Sequence, residues 1–161
     1  MNARTLLTGF FVFAGLLGTI SPAFSQQSPP ESEKAKQIVA LVDEAAALIN
    51  SKGKSVFPEF RKSGSEWLSG DTYLFVADND GNSLLNAGFP KLEVTNEKGL
   101  KDANGKLITV ALIEAAQSKG SGWVDYMWPK PGEKTPSLKI TYIKRAQYQN
   151  QTYMVGSGVY I

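Results

Sequence analysis

Residues 120–161 read GSGWVDYMWPKPGEKTPSLKITYIKRAQYQNQTYMVGSGVYI, and this stretch decides the fold. Three alternating segments lie in it, at 123–128, 138–145 and 152–160. Turn residues separate them: Pro129, Pro131 and Gly132 first, then Gln149 and Asn150. That spacing predicts an antiparallel meander. Strand side chains alternate between faces, so Val124, Tyr126 and Trp128 project together, and Trp123, Asp125 and Met127 project oppositely. An aromatic wall beside strand lysines suits a small anion. Tyr O–H and Trp N–H donate hydrogen bonds, and Lys supplies charge.

Upstream, apolar residues recur at helical spacing: Ile38, Val42, Ala45 and Ile49, joined by Leu41 and Leu48. Ser32 is placed as N-cap, and Gly53 follows the last periodic residue as C-cap. Val56, Phe57 and Phe60 predict a short second helix with its aromatics inward and Pro58 in its first turn. Tyr73 to Ala77 reads as a strand, Asp78-Asn79-Asp80-Gly81 as a turn, and Ser83 to Asn86 as the returning strand. Residues 88–105 read as an irregular loop with a short turn. Helical spacing restarts at Leu107, Val110 and Ala111 and runs to Gly120. The order is helix, two strands, helix, three strands, with no βαβ repeat.

Composition excludes several chemistries. The 161-residue chain has no cysteine and no histidine. Disulfides, a lipid anchor on cysteine, histidine-based triads and histidine zinc sites are therefore ruled out. Arg4, the apolar run 6–20 and the small residues Ala23 and Ser25 predict a signal peptide over 1–25, cleaved before Gln26. Removing 25 of 161 residues leaves 136, one ordinary domain, after a disordered leader at 26–31. The formal charge of +2 falls to +1 without Arg4, which gives no reason to propose nucleic acid or membrane insertion of the mature chain. The expected location is periplasmic or secreted.

Three motifs, GWVDYMWPKP at 122–131, KITYIKR at 139–145 and VGSGVY at 155–160, resemble the signature of the small, single-module Cache domain, type two. The resemblance extends through DTYLFVADNDG at 71–81 and the helical segment 107–118, so it covers nearly all of the mature chain. It implies an α+β fold: a PAS-like five-stranded antiparallel sheet, strand order 2-1-5-4-3, packed against a long N-terminal helix. It also implies an extracytoplasmic sensor module for small organic acids or similar metabolites; separately, no cofactor and no bound metal are expected.

On the residues alone, Tyr126 and Trp128 read as core under a helix; the resemblance gives at least one of them a pocket role. Lys139 shares a face with Thr141, and Lys144 shares one with Tyr142. Alternation leaves open which face holds a ligand; Lys139 is the preferred anion partner. Phe75 and Tyr142 are expected as walls and Asn86 as an amide contact, where family members often carry a histidine. Asp78-x-Asp80-Gly81-Asn82 lacks the distal glutamate of a calcium loop and reads as a turn. No nucleophile–base pair is visible, so an enzyme is not expected. The expected function is a periplasmic binding module that passes ligand state to a membrane sensor partner. The alternative is a protein-partner-binding module whose pocket is filled by side chains.

Overall fold

The computed structural model describes residues 30–161. The expected signal peptide, its cleavage point and most of the leader lie outside the described residues. Helix α1 (Glu33–Lys52) begins where the Ser32 side chain accepts a hydrogen bond from the Ala35 N–H at 3.0 Å. It ends at Gly53, whose φ of 59° is one a side chain tolerates poorly. A Cβ there would also stand 2.5 Å from the Tyr148 ring. The predicted stripe is the buried face: Ile38, Val42, Ala45 and Ile49 lie on it, with Ala35 and Ala46. Helix α2 (Phe57–Phe60) carries Pro58 in its first turn and buries both phenylalanines. Phe60 packs on Trp67, ring centroids 5.0 Å apart.

The main sheet has five strands: β3 (Phe75–Asp78), β4 (Ser83–Asn86), β5 (Ser121–Pro129), β6 (Pro136–Tyr148) and β7 (Gln151–Tyr160). Every pairing is antiparallel, in the order β4-β3-β7-β6-β5. Helix α1 lies across β6 and β7 on one face. Helix α3 (Ile108–Lys119) covers β5 and part of β6 on the other. The fold is therefore the α+β, PAS-like arrangement, with the sheet between two helical layers.

Two local features differ from the sequence reading. Tyr73 and Ala77 do not share one continuous strand. Strand β2 (Thr72–Tyr73) pairs with β1 (Leu68–Ser69) in a separate two-stranded sheet, and the chain breaks at Leu74 before β3. At the break the Tyr73 carbonyl accepts from the Ser157 hydroxyl of β7 at 2.8 Å, a side-chain bond rather than a ladder bond, and the Leu74 carbonyl accepts from the Ala87 N–H at 3.0 Å. The meander strands are also longer than their apolar runs, because the β6–β7 ladder continues through polar pairs out to Tyr148 opposite Gln151. The 78–82 turn is as expected. The Asp78 carboxylate accepts from the Asp80 and Asn82 N–H groups and from the Asn82 amide, at 2.8–2.9 Å.

A candidate binding site between the sheet and helix α3

Strand parity gives the two sheet faces different chemistry. On β6, Ile140 and Tyr142 face α1, while Lys139, Thr141 and Ile143 face α3. On β5, Trp123 packs under α1, whereas Val124, Tyr126 and Trp128 pack with α3. A cavity of about 30 Å³ lies on the α3 face. The sheet side of it is Tyr73, Phe75, Asn86, Tyr126 and Trp128; α3 adds Ile108, Thr109 and Leu112; the 87–107 segment adds Leu92, Glu97 and Leu100. A second void of about 20 Å³ adjoins it, sharing Phe75, Glu97, Thr109 and Leu112.

Four sequence-predicted residues, Phe75, Asn86, Tyr126 and Trp128, thus border one cavity. Lys139 stands behind its aromatic wall rather than on its surface. It is 0% exposed, and its Nζ donates to the Tyr73 hydroxyl at 2.8 Å. Nζ also lies 4.0 Å from the Tyr73 ring centroid, 5.2 Å from that of Tyr160 and 5.7 Å from that of Phe75, a cation–π cage. Two glycines make room for this lysine and for the Phe75 ring beside it. A Cβ on Gly158 would meet the Lys139 stem at 3.0 Å, and one on Gly156 would meet the Phe75 ring at 2.6 Å.

Tyr142 requires a correction. It packs on Trp123 under α1, ring centroids 5.3 Å apart, and takes no part in the cavity. It lies three positions beyond Lys139, an odd offset that puts the two on opposite faces. Lys144, the other basic candidate, is on the Tyr142 side and pairs with Asp43 of α1 at 2.8 Å.

The electrostatics around Lys139 are unusual. Desolvation pulls its ammonium down to about pKa 7, with Asp71 acting weakly in the opposite direction. Among the described residues it joins no ion pair within 4 Å. Burial likewise raises the Tyr73 phenol well above its ordinary value and pushes Tyr160 up to about 12. Tyr126 is also raised by burial; its hydroxyl is 2.9 Å from Thr141 Oγ1. All three tyrosines therefore stay neutral donors at physiological pH. Tyr73 Oη accepts from Lys139, and its own hydrogen is directed at Tyr160 Oη, 3.4 Å away, because the Tyr160 hydroxyl already donates to the Pro129 carbonyl at 2.8 Å.

Sequence reasoning missed Tyr73, Phe89, Glu97 and the α3 residues. Phe89 bridges Tyr73 and Trp128 edge to face, with both centroid distances 5.6 Å. It is held by its N–H bond to Asn86 Oδ1 at 3.0 Å, so the Asn86 carbonyl is engaged in shaping the loop. Tyr73 lies in the 71–81 motif, and its position there was the available signal. Glu97 sits in a polar loop with no periodicity to mark it.

Known proteins provide independent evidence. A family model described as Cache domain (dCache_2) matches residues 64–161. The chain is 29% identical over 91 residues to the methyl-accepting chemotaxis protein McpP of Pseudomonas putida. It is 30% identical over 91 residues to the sensor histidine kinase MctS of Rhizobium johnstonii. Each match covers 56% of this chain but only 16% and 19% of those proteins, so the chain spans under a fifth of the curated relatives it matches. Among solved structures, a Cache chemosensory domain studied for carboxylic acid recognition superposes with a TM-score of 0.67 at 25% identity, covering 80% of this chain and 93% of that one. A periplasmic sensor domain of a chemotaxis protein gives 0.61 at 28% identity, over 76% and 87% of the two chains. A methyl-accepting chemotaxis protein from Vibrio parahaemolyticus gives 0.65 at 25% identity, over 80% and 88%. The motifs of the last three strands, the five-stranded sheet order and a family match over residues 64–161 converge: this chain belongs to the Cache domain family.

Proposed function

We propose that this chain is a non-catalytic sensor module that binds a small carboxylate between the sheet and α3 and passes the bound state to a membrane sensor protein. The observation that carries this reading is Lys139: a fully buried ammonium with no carboxylate partner, behind the aromatic wall of a cavity. A buried cation without a counter-ion is unfavourable, and an incoming anion relieves it. The ligand carboxylate takes the Tyr73 O–H hydrogen bond in place of the long 3.4 Å contact to Tyr160 Oη. The Lys139 charge lies directly behind that hydroxyl, in a low-dielectric surround that strengthens the attraction. Phe75, Tyr126 and Trp128 wall the ligand, and the Asn86 amide borders it. The cavity volume suits a ligand of only a few heavy atoms. The names of the chemoreceptor and histidine kinase relatives, and of the carboxylic-acid-recognising neighbour, support the reading.

The reading includes export to the periplasm or beyond, with cleavage before Gln26. Among the described residues no helix is long and apolar enough to cross a membrane. Intact mass of protein recovered from the periplasm tests this, and a mass retaining residues 1–25 contradicts it. The binding test is a thermal-shift series with acetate, propionate, pyruvate and lactate. A ligand at one hundred times its dissociation constant stabilises the fold by about 2.7 kcal/mol. Lys139→Met keeps the stem packing, removes the charge and is expected to abolish the shift while remaining folded. Silence from every acid refutes the carboxylate assignment. The small volume of the cavity favours a second reading, a partner-binding module whose pocket stays filled by side chains, and that same silence supports it.

A further inference from the structure

One oxygen of the Glu97 carboxyl, Oε1, is buried without a hydrogen-bond partner, the one such side-chain atom among the described residues. Native proteins rarely leave a buried acceptor unpaired, because the lost hydration is not recovered. The position is not a loose one. The Glu97 N–H donates to the Gly81 carbonyl at 2.8 Å, and the Glu97 carbonyl accepts from the Leu100 N–H at 2.9 Å. No Lys or Arg lies within ion-pair distance of it among the described residues. Burial raises its carboxyl pKa, with a Ser83 hydrogen bond acting against the shift.

Glu97 borders both voids, whereas Tyr73, Asn86 and Trp128 border only the first. The two polar ends of the site therefore differ in sign and in place. Lys139 and the Tyr73 hydroxyl attract an anion at one end. The Glu97 carboxyl, which also borders the second void, accepts a hydrogen bond through Oε1 and, when ionised, repels a carboxylate. That polarity orients a ligand with its carboxylate toward Tyr73 and its other end at Glu97.

We propose that Glu97 selects the ligand, and that the ligand is a small carboxylic acid carrying a hydrogen-bond donor, hydroxyl or ammonium, beside its carboxylate. The inference rests on the carboxylate reading above and narrows it. An acid ending in a bare methyl leaves Glu97 Oε1 dry and unpaired. A site built to receive a donor discriminates strongly against the analogue that lacks it.

The test is calorimetric titration of the protein with propionate, lactate and alanine, which share a three-carbon frame and differ in hydrogen, hydroxyl and ammonium. Wild type is expected to bind lactate or alanine at least about tenfold more tightly than propionate. Preference for alanine over lactate assigns an ionised Glu97, whose charge attracts the ammonium. Glu97→Met, close in length and free of polar oxygens, is expected to fold and to bind propionate at least as tightly as the other two. Glu97→Gln keeps an acceptor oxygen and retains part of the lactate preference. Equal affinity of wild type for propionate and the two donors overturns this inference and leaves the carboxylate reading standing. So does discrimination that survives in Glu97→Met, since Glu97 is then merely hydrated. If none of the three binds, the carboxylate reading falls and this inference falls with it.

Discussion

The two faces of the sheet are built from the same strands and do different things. Under α1, Ile38, Val42, Ile49, Phe60, Leu74, Leu85 and Val155 are closed to solvent and apolar, and the lysine on that side, Lys144, reaches out to Asp43 at the surface. Under α3, the buried set includes Lys139, Thr141 and Asn86, and the packing leaves two small voids. A single residue step along β6 separates the two environments. The α1 face meets the usual requirement that a buried surface be apolar and close-packed. The α3 face departs from it with a buried ammonium and an unpaired carboxyl oxygen, features that lower stability and that a bound ligand would relieve.

The largest effect expected from this contrast lies on the α1 face. Ile49→Ala removes a fully buried side chain from the centre of the helix–sheet contact. It should lower stability by about 2–5 kcal/mol, read as a shifted urea midpoint. Carboxylate affinity of the folded protein should be unchanged. A comparable loss of affinity would mean that the two faces are not separable.

The next effect is a pH dependence confined to the α3 face. The Lys139 pKa in the folded state is lowered to about 7 by desolvation. An unfolded lysine titrates near about 10.4. Between those values the unfolded chain holds the proton and the folded chain does not, so this group makes ligand-free stability rise with pH across that window. Below about pH 7 the burial penalty is present in full. A bound carboxylate favours the charged form, so binding above pH 7 takes up a proton. Affinity should fall by up to about tenfold per pH unit from pH 7 upward. Calorimetry in buffers of different ionisation enthalpy reads the proton uptake, and Lys139→Met should lose the stability trend. A flat affinity profile from pH 6 to pH 9 would detach Lys139 from the ligand.

The smallest effect is on the outer lysine. Lys144→Met breaks a partly exposed pair with Asp43 and should change stability by no more than about 1 kcal/mol. It should leave carboxylate binding as in wild type. Loss of binding in this variant would exchange the roles of the two faces.

These faces were legible from sequence only in part. Helix α1 and the meander were readable because their apolar residues keep a strict period and their caps and turns are chemically distinct, as at Ser32, Gly53 and Asn150. Alternation fixed which residues share a face but not which face lies against α3. The choice between Lys139 and Lys144 therefore needed the positions of the helices. Tyr142 could have been set apart from Lys139 by parity alone, and its aromatic character misled. Tyr73 escaped because the strand breaks at Leu74, where the Tyr73 carbonyl is bonded by a hydroxyl far off in sequence, that of Ser157. Glu97 escaped because a polar residue in an aperiodic loop looks solvated until the loop is seen folded over the sheet.

The most direct test of the division between the faces is a crystal structure of the domain grown with a carboxylate that stabilises it. The ligand is expected on the α3 side, its carboxylate against the Tyr73 hydroxyl with Lys139 Nζ behind, between the Phe75, Tyr126 and Trp128 rings. A ligand seated instead in the open groove of Leu41, Glu66 and Thr72 beside α1, with the α3 cavity unchanged, would contradict this placement.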